Sequence, residues 1–453
     1  MKQKLELLLP AGDMEKLKFA FAYGADAVYV GAPMFSLRAR TNAFTMETLK
    51  EAVDYAHNLG KKIYFTANIY AHNVKIKPFL AQFKKMYELN PDAFIMADPG
   101  LIYLVKKDFP DIIIHLSVQA NNTNWAQAKF WQEIGIKRII LSREISIKEM
   151  KEIHENVPEM ELEAFVHGAI CMAYSGRCLI SNYLSNRDPN QGTCSHSCRW
   201  EFKVFKDNKT EAELETVTGR PENYEELTGN FYLEEKERLG ELMEIDEDQY
   251  GTYLMNSRDL CAIDYIPELA EAGIISFKVE GRNKTVNYLA SVGLAYKEAL
   301  NAVEKGEKYD IEKLAGELFS IANRGYIPGF LAGNPGVNAQ FYERNGGFQT
   351  KIFLGIIRNF DKKNHLARIE VKNKFDLGDK IEILTPEGTF KSEIKTIKKI
   401  TTANNSIDRA GFRPEIYDER LSEEASSAHG GGYEVWINIE KDYGEFALIR
   451  KDV

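Results

Sequence analysis

The chain predicts an α/β fold: a TIM-like (β/α)8 barrel with a cysteine-rich insert after its seventh strand and a small C-terminal antiparallel β-barrel domain. Three observations carry that expectation. Apolar, strand-like stretches at residues 5–9, 27–30, 62–66, 93–96, 112–117, 138–141 and 161–166 alternate with amphipathic segments at 14–23, 46–59, 78–89, 125–134 and 147–155, whose apolar residues recur three and four apart. Such alternation builds a parallel sheet from βαβ units, and residues 274–279 supply the eighth strand a closed barrel needs. No Gly-x-Gly-x-x-Gly follows the first strand, which argues against an open nucleotide-binding sheet.

Taken in order, Asp13 and Thr45 stand where helix N-caps belong. Chemistry in such barrels sits at the carboxyl ends of the strands. Asn68 follows the third strand there, Asp98 the fourth, and Ser117 and Gln119 the fifth. Ser142, Arg143 and Glu144 end the sixth, His167 the seventh, and Glu280 and Arg282 the eighth. Glu163 lies on the same strand as His167, and alternation sends side chains four apart to one face, so both are expected inside. Residues 284–320 read as helical. From 341 onward the pattern is period-two, with strands expected at 353–357, 365–371, 380–384, 390–394 and 433–439, turn clusters at 376–379 and 386–388, and a long polar loop at 402–430. The resulting division is a barrel of 1–167 and 251–330, a cysteine-rich loop and acidic insert at 168–250, and a β-barrel domain at 340–453.

No apolar run approaches the roughly 18 residues a membrane span requires, and the short run after Met1 is too interrupted for a signal peptide. A cytoplasmic setting with reduced thiols is therefore expected. The net charge is −9 across 453 residues, but it is unevenly spread. Residues 201–250 hold 16 acidic and 6 basic side chains, a net of −10, whereas 344–400 hold 13 basic and 7 acidic, a net of +6. A polyanion could dock on that tail despite the acidic total.

Four of the five cysteines, Cys171, Cys178, Cys194 and Cys198, fall within 28 residues, spaced C-x6-C-x15-C-x3-C. Such density in a cysteine-poor chain points to a soft metal or an iron–sulfur centre. Structural zinc favours paired C-x2-C to C-x4-C knuckles, and only the second pair fits. Gly176 inside the wide gap suits a loop wrapped around a larger object, so a cubane cluster is the preferred reading and zinc the alternative. The loop follows the seventh strand directly, which places it over the barrel mouth. Cys261 reads as an ordinary small buried residue, and His196, between two ligands, as a hydrogen-bond donor to them.

Around the seventh strand the sequence becomes specific: Glu163, Phe165, Gly168, Ala169, Ile170, Cys171, Gly176, Cys178, Ile180 and Ser181 match E-x-F-x-x-G-[SA]-[LIVM]-C-x4-G-x-C-x-[LIVM]-S. That signature resembles the collagenase-like peptidase family, the "U" class of unassigned catalytic type. Leu9-Pro10-Ala11-Gly12, Asp26 through Gly31, Asn256 through Leu260, Lys278 through Arg282 and Asn323 through Tyr326 agree with it. The resemblance implies a barrel with a [4Fe-4S] site on the four cysteines. By its C-x3-C pair and β tail the chain is most similar to the subgroup linked to 5-hydroxyuridine at the tRNA wobble position, made without molecular oxygen and with prephenate implied as oxygen source. Sister subgroups hydroxylate ribosomal RNA or the ubiquinone ring. The chain departs from its relatives at Asn323, where they commonly carry His.

On this basis Glu163 and His167 are the catalytic candidates. Arg38, Arg143, Arg258 and Arg282 would form a dianion site, since planar guanidinium is the natural fork for a carboxylate, with Glu280, Gln119 and Asn68 as further substrate contacts. Lys362, Lys363, Lys391, Lys395, Lys398 and Lys399 would meet tRNA phosphates. Phe35, Tyr174 and Trp200 are candidates to stack a splayed anticodon base. Two other function classes stay open: a thiol or metallopeptidase, although no H-E-x-x-H exists in the chain, and a zinc-stabilised RNA-binding protein.

Overall fold

The computed structural model describes residues 4–37, 43–171, 173–185, 187–191, 193–195, 197, 257–333, 335, 348–401, 420–429 and 433–453, with the backbone of four strands between 202 and 245. Eight parallel strands form the barrel: β1 (Glu6–Ala11), β2 (Ala27–Gly31), β3 (Lys62–Thr66), β4 (Ala93–Met96), β5 (Ile114–Leu116), β6 (Arg138–Ile140), β7 (Glu161–Ala169) and β8 (Ile274–Val279). Pairing of β8 with both β1 and β7 closes the cylinder. Both faces of these strands are covered, which is why they read as nearly continuous apolar runs.

Helices α1 (Met14–Ala22), α2 (Met46–Asn58), α3 (Asn73–Tyr87), α4 (Pro99–Asp108), α5 (Trp125–Glu133) and α6 (Ile147–Asn156) intervene between the strands. Leu7, Leu9, Val28, Val30, Ile63 and Phe65 face them in one large core with Leu17, Leu49, Val53 and Phe79. Asp13 accepts from the Lys16 N–H, and Thr45 forms a capping box with Thr48, so both expected caps are present. Two helices differ from expectation. α3 starts at residue 73, with Pro78 inside it, where the ring removes one helical hydrogen bond. α4 has no matching periodic segment in the sequence, but Pro99 sits at its first turn and the Asp98 carboxylate accepts from Gly100 N (2.8 Å), Leu101 N (3.1 Å) and Ala71 N (3.0 Å). Asp98 is thus a helix cap that also pins the loop after β3.

Beyond β7, a short strand at Asp259–Cys261 runs antiparallel to its end, and the acidic insert contributes a four-stranded antiparallel sheet. After β8 the chain forms two helices, Val286–Lys305 and Ile311–Phe319. The C-terminal domain is an eight-stranded antiparallel sheet in the order Gly388–Glu393, Lys380–Thr385, Leu448–Asp452, Lys351–Asp361, Leu366–Val371, Glu434–Asn438, Ile397–Thr401, Arg420–Glu424. It has its own core of Leu354, Ile369, Ile383, Ile397, Ile437 and Ile449. Strands at Arg420–Glu424 and Ser427–Ala428 lie inside the stretch expected to be a loop, and 402–419 fall outside the described residues. Among the described residues, no helix is long and apolar enough to cross a membrane.

Barrel and tail domain are joined by a buried seam. Phe19, Val286 and Ala290 pack on Ile356, Leu384 and Leu448, and the Tyr23 hydroxyl lies 3.0 Å and 2.7 Å from the Leu384 and Phe446 carbonyls. Arg450, 2% exposed, holds Glu317 with both terminal nitrogens (2.5 and 2.7 Å) and Glu382 through Nε (3.2 Å). Replacing Arg450 with Met leaves two carboxylates facing an apolar side chain, and breaking such a pair costs about 3 kcal/mol. Urea denaturation should show that loss, with both domains unfolding at lower denaturant.

A cysteine-lined cavity at the barrel mouth

The barrel interior is layered. Leu8, Tyr29, Tyr64, Ile95, Ile140 and Phe165 form its apolar lining. Beneath and among them lies a buried charge network. Arg138 Nη1 sits 2.5 Å from Glu6 Oε1 and 3.3 Å from Glu163 Oε2, and Lys278 Nζ lies 2.7 Å from Glu163 Oε1. Ser276 Oγ donates toward Glu6 (2.8 Å) and Glu163 (3.2 Å), and Tyr64 OH donates to Glu6 (2.7 Å). Burial pushes the Glu6 carboxyl up, but Arg138 and the donors from Tyr64 and Ser276 outweigh it and hold the group below its ordinary range. Burial pulls the Lys278 ammonium below the usual lysine value, and Glu163 opposes that pull.

Glu163 faces this interior, but His167 does not share its face. The pairing of β7 with β8 slips between Lys278 opposite Phe165 and Val279 opposite His167. Such a bulge re-aims the side chains beyond it. His167 therefore turns outward, 1% exposed, among Tyr288, Tyr296 and Tyr326. Its Nδ1 is 3.3 Å from Tyr296 OH and its Nε2 3.3 Å from Tyr326 OH. Burial drives its pKa down to about 3. Cys261 adjoins this cluster, 3.6 Å from Tyr296 OH, its thiol pushed up to about 11 by burial.

A cavity of about 180 Å³ opens above Lys278 at the carboxyl ends of the strands. Cys171, Cys178 and Cys194 line it together with Asn68, Gln119, Arg143, Glu280 and Arg282, so five of the seven substrate-contact candidates meet three of the four thiols. Arg143 lies over the Phe165 ring, 3.9 Å from its centre. Arg282 donates to Thr66 Oγ1 (3.1 Å) and to the Leu37 carbonyl. Asn68 donates to Ser117 Oγ (3.1 Å) and accepts from Leu37 N (3.1 Å). Arg258 packs instead against Gly325, away from the lining. Arg38, Cys198, His196 and Trp200 lie outside the described residues.

The cysteine loop is fastened over this cavity by contacts that sequence reasoning missed. Glu144 Oε1 accepts from Ser175 N (2.7 Å) and Ser175 Oγ (2.9 Å). Gly176, at φ +77°, packs so closely that a Cβ there would meet the Gln119 carbonyl oxygen at 2.2 Å. Ser181, Ser185, Ser195 and Ser197 share hydroxyl contacts of 2.5–2.9 Å, tying the Cys178 side of the loop to the Cys194 side. Burial pushes the Cys178 thiol up, against backbone N–H groups of Ile180 and Ser181 that favour the thiolate. Thiols set in a polar loop with such donors suit a soft metal or cluster. Among the described residues, however, no three ligands close into a metal group.

Of the other candidates, Tyr174 lines the cavity and is 60% exposed. Phe35, expected to stack a base, is instead a core residue against Phe79 (5.2 Å between rings). Lys362, Lys363, Lys391, Lys395 and Lys399 are exposed and Lys398 half-buried. Lys391 and Lys395 line a separate groove of the tail domain with Lys380 and His365. Lys278 enters the sequence reading only within the Lys278–Arg282 stretch and not as a site residue, although a lysine in the apolar run Ile274–Val279 was a signal that could have found it.

The model of Peptidase family U32 matches residues 12–340, and that of its C-terminal domain matches 349–450. The chain is 43% identical over 462 residues to tRNA hydroxylation protein P of Escherichia coli (strain K12), covering 99% of this chain and 97% of that one. It is 41% identical to the protein of the same name from Haemophilus influenzae, over 99% and 96% of the two chains. It is also 32% identical to the 23S rRNA 5-hydroxycytidine C2501 synthase of Escherichia coli, over 67% of this chain and 41% of that one.

The depressed His167 pKa has a consequence for stability. The unfolded chain takes up this proton near pH 6.5, whereas the folded chain resists it until about pH 3. Acidification between those values favours unfolding, and from pH 7 to 5 the group alone removes about 2 kcal/mol. Denaturation of the His167→Gln variant should lack that component of the slope.

Proposed function

We propose that this chain, which belongs to peptidase family U32, hydroxylates tRNA, with the wobble uridine as target and 5-hydroxyuridine as product. The observation that carries the reading is the convergence of Cys171, Cys178 and Cys194 on a cation-rich cavity, in a chain alike over 99% of its length to a tRNA hydroxylation protein. Cys198 would complete the ligand set, and a [4Fe-4S] cluster held there would supply one-electron redox chemistry at the cavity wall.

The chain's own residues bind and orient. Arg143, Lys278 and Arg282 give the cavity the positive charge that a dicarboxylate oxygen donor such as prephenate requires. Asn68 and Gln119 offer amide groups to a base edge, and Tyr174 offers an exposed ring to its face. Ordinary ligand pockets span roughly 300–1,000 Å³, so a cavity of about 180 Å³ takes one small ligand in this state. Admission of a nucleotide then requires the Glu144–Ser175 contact to release the loop. The exposed tail lysines hold phosphates, which gives affinity without sequence choice.

Nucleoside mass spectrometry of tRNA from cells lacking this gene should show loss of 5-hydroxyuridine, restored by the wild-type gene and not by Cys171→Ser. An unchanged nucleoside profile would remove the reading. Reversing the charge of Lys391 and Lys395 together should weaken tRNA binding and flatten its salt dependence by about two counterions, measured by filter binding across a salt series.

A further inference from the structure

The barrel floor carries an amine whose setting exceeds what charge neutralisation needs. Lys278 is the only lysine lining the cavity among the described residues. Its Nζ lies 4.4 Å above the Tyr29 ring and 5.5 Å above the Phe165 ring, with Glu163 Oε1 behind it at 2.7 Å. Arg143 sits over the same Phe165 ring at 3.9 Å, and its buried Nε has no protein partner. One aromatic ring therefore meets both an amine and a guanidinium with an unspent donor, and both line the same cavity.

We propose that Lys278 is a catalytic amine that condenses with the ketone of a small 2-oxo acid whose carboxylate is held by Arg143. The inference rests on the reading of this cavity as the co-substrate site. Both cations line one cavity of about 180 Å³, and a small 2-oxo acid carries its carboxylate and its carbonyl on adjacent carbons. Glu163 takes the ammonium proton, the free amine adds to the carbonyl carbon, a second proton passes from the nitrogen to the former carbonyl oxygen, and Glu163 returns the first to that hydroxyl, which leaves as water. The carbon–oxygen double bond is exchanged for a carbon–nitrogen double bond, one water leaves, and no electrons change hands. The iminium product keeps the positive charge, so Glu163 and Arg138 remain balanced in a site where an unpaired charge is costly. Burial, which draws the Lys278 ammonium below its ordinary value, eases the first step.

Reductive trapping tests this directly. The anaerobically purified full-length protein is incubated with pyruvate and cyanoborohydride, digested, and mapped by mass spectrometry. A reduced carboxyethyl adduct concentrated on the Lys278 peptide is expected, falling at least about tenfold in Lys278→Arg, which keeps the ion pair but not the nucleophile. No adduct, or an adduct spread over surface lysines without preference for Lys278, overturns the proposal. Because the readout needs no RNA, a chain that fails to trap yet restores 5-hydroxyuridine in cells loses this inference alone.

Discussion

Glu163 is completely buried and holds two cations at once, Lys278 and Arg138. A carboxylate in that position cannot be left without partners, since removing one side of a buried pair costs about 3 to 5 kcal/mol. The pairing joins β6, β7 and β8, and through Glu6 and Ser276 it reaches β1. These are the strands between which the barrel closes. β8 arrives only after the cysteine loop and the acidic insert, so no short connection delivers it to the gap. A one-residue slip of β8 would turn Lys278 outward and Phe277 inward, stranding Glu163. The network therefore fixes register where chain connectivity gives least help, and the same constraint puts an amine under the cavity.

The parts of the fold legible in the sequence were those governed by local periodicity and composition. Strands buried on both faces read as apolar runs, and Asp13 and Thr45 cap their helices as expected. Helix α4 has no visible helical period because its apolar residues form one unbroken run, Leu101 to Val105, although Asp98 followed by Pro99 is itself a start signal. The bulge in β7 was not legible at all. Alternation by two predicts a common face for Glu163 and His167, and only long-range pairing with β8 reveals the slip. Lys278 was overlooked for a related reason: a charge inside an apolar strand becomes meaningful once its buried partner is known. The contacts among the serines of the cysteine loop join residues up to 14 apart and have no sequence pattern of their own. Asn323 serves a local turn: it accepts from Gly325 N and donates to Ile321 O, both at 2.9 Å.

The outward turn of His167 also bears on proteolysis. A thiol peptidase needs an imidazole within hydrogen-bond reach of its nucleophile. Both ring nitrogens of His167 lie beside tyrosine hydroxyls, and burial keeps the ring neutral far below physiological pH. Cys171 lines the cavity, on which His167 does not open. The residues nearest in sequence to a nucleophile–base pair are thus separated by the bulge.

The loop that carries the thiols also sets the shape of the site. Gly176 leaves no space for a Cβ against Gln119, and Glu144 grips Ser175, so the loop that carries the thiols is the same wall that limits the cavity. Under the proposed function, a group held by those thiols therefore shares its wall with the small molecule beside Lys278. Under the proposed function the tail lysines draw a polynucleotide by its phosphates, against an acidic insert with a net of −10. Neither chooses a base. Under the proposed function, choice of base falls to the cavity under the cysteine loop, which Asn68 and Gln119 line with amide groups and which shares a wall with the thiols.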